Sequence, residues 1–158
     1  MSTSPKVVLI TGCSEGGIGF YLCEAYAAHG CIVYATARRP ETMSSFSHPN
    51  IYTLKLDVLE DDEVNSVVKT IIDREGRVDI LVNNAGSGAP GPILDMSIDQ
   101  ARRAFELNTF SVLRVSRAVA PHMAKRKSGT YCHHWFDCSS VSNSMGRDVL
   151  RYLKRLRI

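Results

Sequence analysis

The sequence predicts an α/β fold in which helices cover both faces of one parallel sheet. Short apolar runs alternate along the chain with longer segments whose apolar residues recur at helical spacing, and this alternation is typical of parallel β-α-β units. A glycine-rich segment, TGCSEGGIG, forms a tight turn between the first apolar run and the first helical segment. The length of 158 residues accommodates one such domain with its own core.

The first predicted elements are a strand, a helix and a second strand. The run KVVLI at residues 6–10 reads as a buried strand that ends at Thr11-Gly12. Residues 19–29 form a helix, and residues 31–36 form the second strand. The polar, proline-punctuated segment 37–50 is predicted as a loop with room for a short helix.

The second half continues the alternation and reaches a long helix. The predicted elements are a strand, a helix, a strand, a loop and the long helix, at residues 51–56, 59–75, 78–82, 87–96 and about 97–125. The first turn of the shorter helix is acidic, as the helix dipole favours. Ser97 is the candidate N-cap of the long helix, and Pro121 lies near its far end.

Composition indicates a soluble globular protein of the cytoplasm. Hydrophobic residues make up 44% and charged residues 22% of the chain. No apolar run approaches the roughly 20 residues of a membrane helix, and MSTSPKVVLI lacks the features of a secretory signal. The five cysteines follow no disulfide spacing, so we expect free thiols in a reducing compartment.

Positive charge is concentrated at the C-terminal end of the chain. From residue 139 onward, five basic residues against Asp148 give +4, and the whole chain carries +3, so residues 1–138 sum to −1. A near-neutral body argues against nucleic-acid binding by the domain. The basic end, RDVLRYLKRLRI, leaves open a short amphipathic helix that binds an anionic membrane or an acidic partner.

Two features at the predicted strand ends indicate a nucleotide site. The glycines of TGCSEGGIG let backbone N–H groups approach a pyrophosphate at a helix N-terminus. Arg38 and Arg39 stand at the end of the second strand, where an NAD-binding protein places an acidic residue. Two guanidinium groups there suit the 2′-phosphate of NADP(H), and a solvated surface pair is the alternative interpretation.

These motifs together resemble the short-chain dehydrogenase/reductase family. The resemblance rests on TGCSEGGIG, ATARR, LDV, NNAG and FELN in this order, over residues 6 to about 130. The glycine motif is one residue longer than the usual TGxxxGIG, and with YATARR it is most similar to the NADPH-dependent 1-acyldihydroxyacetone-phosphate reductases of fungi. The resemblance implies a Rossmann-type doubly wound parallel sheet, an NADP(H) cofactor, and hydride transfer to or from a small carbonyl or alcohol.

The resemblance also implies a role for each matching residue. The pyrophosphate contacts fall on Gly12, Ser14, Gly17, Ile18 and Gly19. The other cofactor contacts fall on Arg38 and Arg39 for the 2′-phosphate, Asp57 and Val58 for the adenine, and Asn83, Asn84, Ala85 and Gly86 for the central strand and the nicotinamide ribose. Asn108 is the catalytic residue that the resemblance retains, where it would kink the long helix and hold a water of the proton relay.

The resemblance breaks after Gly129-Thr130. The family places an apolar strand there that ends in a serine, then a tyrosine about thirteen residues later and a lysine about four after it, and the lysine lowers the tyrosine pKa. Here YCHHWFDC follows, which we expect to be too polar for a central buried strand. Phe136 and Val149 occupy the expected serine and tyrosine positions.

A second pair, Ser139 and Tyr152, has the separation of the family's serine and tyrosine. Leu156 stands where the lysine should be, so we interpret this pair as a coincidence. We therefore predict a descendant of an NADPH-dependent reductase that is inactive as written. The alternatives are a non-catalytic dinucleotide-binding module that regulates a full-length enzyme, and an active enzyme that uses Ser139 and Tyr152.

Codon degeneracy suggests an origin for the polar segment. YCHHWFDC can be written TAT TGT CAC CAT TGG TTC GAT TGT, which one nucleotide later reads Ile-Val-Thr-Ile-Gly-Ser-Ile-Val, an apolar strand with its serine. We hypothesise that residues from about 131 onward are read in a shifted frame. Residues 1–130 would then be an incomplete NADP-binding domain, cut short after the long helix, and residues 131–158 an aberrant basic tail.

Losing the family's later elements has expected consequences. Without the fifth strand, the fourth strand would be left as an unpaired edge with exposed apolar surface, which predicts poor stability and aggregation. Members of the family are usually homo-oligomers, and the helix often used for their interface is not recognisable in this sequence.

A zinc site is the alternative interpretation of the polar segment. The residue types that zinc prefers are concentrated at Cys132, His133, His134, Asp137 and Cys138. Adjacent histidines on a strand point to opposite faces, and the two cysteines lack the spacing of paired ligands. The spacing therefore argues against a metal site.

Overall fold

The computed structural model of the protein describes residues 4–88, 92 and 94–133, and the backbone of residues 154–157. The strands in this part of the chain are β1 Val7–Thr11, β2 Ile32–Ala37, β3 Ile51–Lys55, β4 Ile80–Asn83, β5 Thr130–His133 and β6 Lys154–Arg157. The helices are α1 Ile18–Ala28, α2 Asp61–Glu75, α3 Ile98–Phe105 and α4 Ser111–Lys125, with a 3-10 helix at Pro40–Met43 and a π-helical segment at Glu106–Phe110.

The sheet has the doubly wound topology that the sequence predicts, with the strand order β3-β2-β1-β4-β5-β6. β1 pairs in parallel with both β2 and β4, β2 pairs in parallel with β3, and β4 pairs in parallel with β5. β6 pairs with β5 in the antiparallel direction. The chain moves outward from β1 to β3 and then continues on the other side of β1, which creates a switch point between β1 and β4.

Side chains of β1 alternate across the sheet and contribute to one apolar layer on each face. Val7 and Leu9 point to the face that α2 and α4 cover, whereas Val8 and Ile10 point to the face that α1 covers. All four side chains are at most 1% exposed. Burial on both faces explains why this strand appears in the sequence as a continuous apolar run.

The long helix predicted at about 97–125 is present but interrupted. Ser97 caps α3 as predicted, because its Oγ accepts the Gln100 N–H at 3.2 Å and the Gln100 Oε1 accepts the Ser97 N–H at 2.7 Å. The π-helical segment that contains Asn108 then separates α3 from α4. Such a segment changes the face that the helix presents, and here α4 has residues buried in the core whereas α3 has none.

A fifth parallel strand forms where YCHHWFDC begins, so the expectation of an unpaired β4 edge is wrong. β5 pairs with β4 over its whole length. Its start is fixed by neighbours, since the Thr130 N–H donates to the Asp79 carbonyl at 3.0 Å. Gly129 lies against Met123, where a Cβ would come within 2.3 Å of the sulfur. The contacts of the backbone with its neighbours therefore determine that this strand forms, in spite of its polar side chains. Residues 134–153 lie outside the described part of the chain.

A carboxylate at the amino edge of the sheet ties β1, β4 and α4 together. Asp79 Oδ2 accepts the Val7 N–H at 2.9 Å and Arg77 Nε at 3.0 Å. Its Oδ1 accepts Arg126 Nη2 at 2.5 Å. Burial alone would raise the pKa of Asp79, but these hydrogen bonds outweigh it and lower the pKa below the ordinary carboxyl value of 3.8. The ionised carboxylate is therefore the form that stabilises the fold.

We expect Asp79→Asn to lower the free energy of unfolding by about 2 kcal/mol at neutral pH, because an amide cannot satisfy both arginines. The folded pKa is lowered, so the contribution of the carboxylate is complete above its ordinary pKa and is lost as the pH falls through the folded value. Urea unfolding of both proteins, at neutral pH and at steps below the ordinary carboxyl pKa, measures the difference, which should close in acid.

The matched control is Asp99→Asn, because this carboxylate is 73% exposed and, within the described residues, pairs with Arg102 alone. It should change the unfolding free energy by less than about 0.5 kcal/mol. A difference between wild type and Asp79→Asn that is independent of pH would contradict the role assigned to the charge.

Candidate functional site

The loops that follow β1, β2, β3 and β4 lie at the carboxyl edge of the sheet, next to the switch point. In chain order they carry residues 12–17, 38–39, 57–58 and 84–86. The structure therefore places the residue groups predicted for one nucleotide at one edge. The geometry of each loop limits the part of a nucleotide that it could contact.

The loop after β1 lies directly against the loop after β4. Gly12 has φ +72°, and a Cβ on it would lie 2.7 Å from the Cα of Ala85. A Cβ on Gly19 would lie 2.5 Å from Asn84 Nδ2 and 2.5 Å from the carbonyl oxygen of Gly12. Only glycine fits at these two positions. Gly16 also has a positive φ, of +77°, but a Cβ there would have nothing within 4 Å, so this side of the loop is open.

The start of α1 is also open. Gly17 is the N-cap residue, and no side chain caps the first turn. Ile18 begins the helix, and its side chain is half-buried. An uncapped helix N-terminus next to an open, glycine-rich turn presents backbone N–H groups and a partial positive charge, which is an arrangement suited to a phosphate.

Asn84 and Thr11 join the loop after β1 to the loop after β4 on the buried side of the site. Asn84 Nδ2 donates to the Thr11 carbonyl at 2.8 Å and to the Gly12 carbonyl at 2.9 Å. Thr11 Oγ1 accepts the N–H groups of Asn84 at 3.1 Å and Ala85 at 3.0 Å. Asn84 is only 7% exposed. Its amide is thus committed to the loop backbone, and Thr11 is a supporting residue that the sequence did not single out.

Arg38 and Arg39 extend from the end of β2 into solvent. None of the ion pairs in the described part of the chain involves either guanidinium group. Their loop is nonetheless attached to the glycine-rich turn through Thr42, whose Oγ1 lies 3.0 Å from Ser14 Oγ. Two cations that no described acidic residue pairs with therefore lie beside the turn, as an anionic ligand requires.

The loop after β3 is anchored to α4 by Arg114, a residue that sequence reasoning missed. Asp57 Oδ1 accepts the Leu59 N–H at 3.0 Å, and the buried Val58 offers its carbonyl to Arg114 Nη1 at 3.2 Å. Arg114 also donates to Asp61 Oδ1 at 2.8 Å and to Glu106 Oε1 at 3.1 Å. Burial alone would lower the pKa of Arg114, but the bonds to both carboxylates raise it.

Asn83 and Asn108 hold the segment that follows β4. Asn83 Nδ2 donates to Ser116 Oγ at 3.2 Å, which links β4 to α4. Asn108 Oδ1 accepts the Ser87 N–H at 3.0 Å, and Asn108 Nδ2 donates to the Ser87 carbonyl at 2.9 Å. A cavity of about 580 Å³ adjoins Ser87 and is lined also by Leu107. In the structure Asn108 therefore binds the backbone of Ser87, which lines this cavity.

The remaining predicted positions are only partly described. Phe136, Val149, Ser139 and Tyr152 lie outside the described residues, as do His134, Asp137 and Cys138. Cys132 is buried in β5, and burial lowers the pKa of His133. Within the described ranges no group of three or more His, Cys, Asp or Glu side chains could hold a metal ion. In the same ranges no helix is long and apolar enough to cross a membrane.

Known proteins resemble this chain over most of its length. The profile of the short chain dehydrogenase family matches residues 6–132. A short-chain dehydrogenase/reductase of Pestalotiopsis microspora is 44% identical over 151 residues, which cover 96% of this chain and 54% of that protein. The NADPH-dependent 1-acyldihydroxyacetone phosphate reductase of Schizosaccharomyces pombe is 38% identical, over 97% of this chain and 54% of its own. Both alignments extend past residue 132, where the family match ends.

Solved structures give the same result. A short-chain dehydrogenase from Streptomyces avermitilis is 36% identical with a TM-score of 0.76, over 82% of this chain and 49% of that one. ElxO with NADP bound is 28% identical with a TM-score of 0.73, over 82% of this chain and 54% of its own. The chain thus spans about half the length of the relatives that it matches.

We expect Gly12→Ala to lower the free energy of unfolding by about 3 kcal/mol, since the added methyl group meets the Ala85 backbone and the residue has a positive φ. Gly30→Ala is the matched control, because its φ of +77° is as unfavourable but a Cβ there would have nothing within 4 Å. It should cost about 1 kcal/mol. Urea unfolding of the three proteins measures both values, and equal costs would contradict the close approach at Gly12.

Proposed function

The chain belongs to the short-chain dehydrogenase family, and on that premise we propose that its described residues form a binding site for NADP(H). The observation that carries the proposal is the open glycine-rich turn beside two guanidinium groups that have no acidic partner among the described residues. NADP(H) is a cofactor of this family, as the NADP-bound structural neighbour and the NADPH-dependent relative indicate. The preference for the phosphorylated dinucleotide in this chain rests on Arg38 and Arg39.

The residues present fit this cofactor. The turn at Gly12 and Gly19 has no room for side chains beneath it and is open at Gly16, which is the cradle that a pyrophosphate needs. Ser14, Gly17 and Ile18 complete the pyrophosphate contacts in this proposal. Because both guanidinium groups are exposed and carry no competing ion pair in the described residues, a 2′-phosphate would bind them without displacing a carboxylate.

The other half of the cofactor would lie along the loops after β3 and β4. Asp57 and Val58 would flank the adenine, and Ala85 and Gly86 would face the nicotinamide ribose. Asn83 and Asn84 would act from below, because their amides bind Ser116 and the loop backbone. The cofactor supplies hydride chemistry when it is bound.

We also propose that the sequence as written binds the cofactor without transferring hydride to a carbonyl substrate. The support comes from the sequence, since Phe136 and Val149 stand at the family's serine and tyrosine positions. Asn108 is the family's catalytic residue that is retained, and its role as a holder of the relay water belongs to this proposal. A division near residue 130 into a cofactor domain and a basic tail follows, although β5 crosses that boundary.

The substrate class, the oligomeric state and the cellular location belong to the same proposal. A relative with the catalytic residues would act on a small carbonyl or alcohol, and an oligomer of the family's usual kind would require elements not recognisable here. A cytoplasmic location is supported by the free thiols of Cys13, Cys23 and Cys31 among the described residues. The near-neutral body of the chain gives no support to nucleic-acid binding.

The test is a titration of the purified chain with NADPH and NADH, followed by calorimetry. We expect NADPH to bind more tightly, and Arg38→Ala with Arg39→Ala to weaken NADPH binding by about 30-fold while NADH changes by less than about twofold. Arg102→Ala is the control, because this arginine lies on α3 and its side chain is 75% exposed. Equal affinity for both dinucleotides, or no binding, would contradict the site.

The same protein should not consume NADPH in the presence of a broad panel of carbonyl compounds. Absorbance at the nicotinamide band measures this directly. Turnover that Tyr152→Phe abolishes would instead establish the alternative in which Ser139 and Tyr152 act as catalytic residues.

The frame hypothesis predicts what the transcript contains. Sequencing the message across the codon of Thr130 should reveal a one-nucleotide difference, or an intron boundary, that restores an apolar strand ending in serine. A message that encodes YCHHWFDC in every allele, with no catalytic frame alongside, would show that the polar segment is the genuine product.

A further inference from the structure

Thr42 forms hydrogen bonds to both phosphate-facing loops. It lies in the 3-10 helix Pro40–Met43, just after the arginine pair. Its N–H donates to the Arg39 carbonyl at 3.1 Å, and its Oγ1 donates to the same carbonyl at 2.7 Å. Its own carbonyl accepts the Glu15 N–H at 2.8 Å, and its Oγ1 lies 3.0 Å from Ser14 Oγ. One residue thus fixes the loop after β2 against the loop after β1.

A bound anion could reverse the donor and the acceptor in the hydrogen bond between the hydroxyl groups of Ser14 and Thr42. The Thr42 hydroxyl has one hydrogen, which it donates to the Arg39 carbonyl, so Ser14 must be the donor in the bond between the two hydroxyl groups. If Ser14 turns its hydrogen to a phosphate oxygen, Thr42 can turn its own hydrogen to Ser14 Oγ. The Arg39 carbonyl still keeps the Thr42 N–H. A hydroxyl that accepts a hydrogen bond is a stronger donor, so Thr42 would strengthen the Ser14 contact with an anion.

We propose that Thr42 is a positioning residue that couples the pyrophosphate turn to the 2′-phosphate arginines and so increases the preference for NADP(H) over NAD(H). The inference rests on the proposed function. Its hydroxyl contributes in two ways through the bond to Ser14, which persists in either direction: this bond supports the Ser14 donor, and it also keeps the loop after β2, from which the guanidinium groups extend, against the turn after β1. NAD(H) uses only the first contribution, since it lacks the 2′-phosphate, whereas NADP(H) uses both.

The test compares Thr42→Val, which keeps the shape and removes the hydroxyl, with Thr42→Ser, which keeps the hydroxyl. Calorimetric titration with NADPH, NADH and adenosine 2′,5′-bisphosphate gives three affinities for each protein. We expect Thr42→Val to weaken NADPH binding about tenfold and NADH binding about threefold, so that the ratio of the two affinities falls. Thr42→Ser should restore the ratio, and the bisphosphate should weaken with Thr42→Val as the arginine contacts loosen.

Thr70→Val is the matched control, because the Thr70 hydroxyl donates to the Ser66 carbonyl within α2, away from both loops. It should leave all three affinities unchanged. If Thr42→Val does not fold, as judged by its circular dichroism, Thr42→Ala carries the same comparison. A variant that folds and weakens NADPH and NADH by the same factor, or weakens neither, overturns the coupling role. Failure of the wild type to bind NADPH overturns the proposed function itself, which makes the two failures distinguishable.

Discussion

The site depends on a direct contact between two backbone segments at the switch point. Gly12 and Gly19 leave no room for a side chain, so the turn after β1 rests on Asn84 and Ala85. Hydrogen bonds from Asn84 and Thr11 maintain this contact from the buried side. Because the support comes from below, the opposite side of the turn is free to face a ligand. The side chains of Asn84 and Thr11 therefore support the turn, while its backbone is left to face the ligand.

Local patterns in the sequence were sufficient to predict most of the fold. The first four strands and the first two helices follow from apolar spacing, because the apolar residues of each element form a short run typical of a buried strand or recur at the period of a helix. The glycines and Arg38 were predictable from their places after strands. Thr42 and Arg114 were not, since their partners are distant along the chain: Arg114 bonds Asp61 across 53 positions, and no spacing rule relates the two.

The fifth strand shows where reasoning from composition fails. A central strand is expected to be apolar because both of its faces are covered. At β5 the backbone ladder to β4 and the anchor at Asp79 set the position of the chain, and of its four residues Cys132 is fully buried. Half-buried polar side chains are compatible with this arrangement. The polarity of YCHHWFDC was therefore a poor guide to missing structure, and the loss of catalytic chemistry that it suggests stays a prediction.

The way in which β5 joins the sheet has a consequence for how such proteins diverge. Hydrogen bonds between strands involve main-chain atoms. The pairing of a strand with its neighbour therefore depends on the direction and distance of the two backbones and only weakly on their side chains. The strand Thr130–His133 can consequently form although its side chains differ from those expected of a central strand. A lineage could pass through folded, cofactor-binding intermediates while its substrate chemistry is lost or rebuilt, with the first four strands serving as a stable platform for that drift.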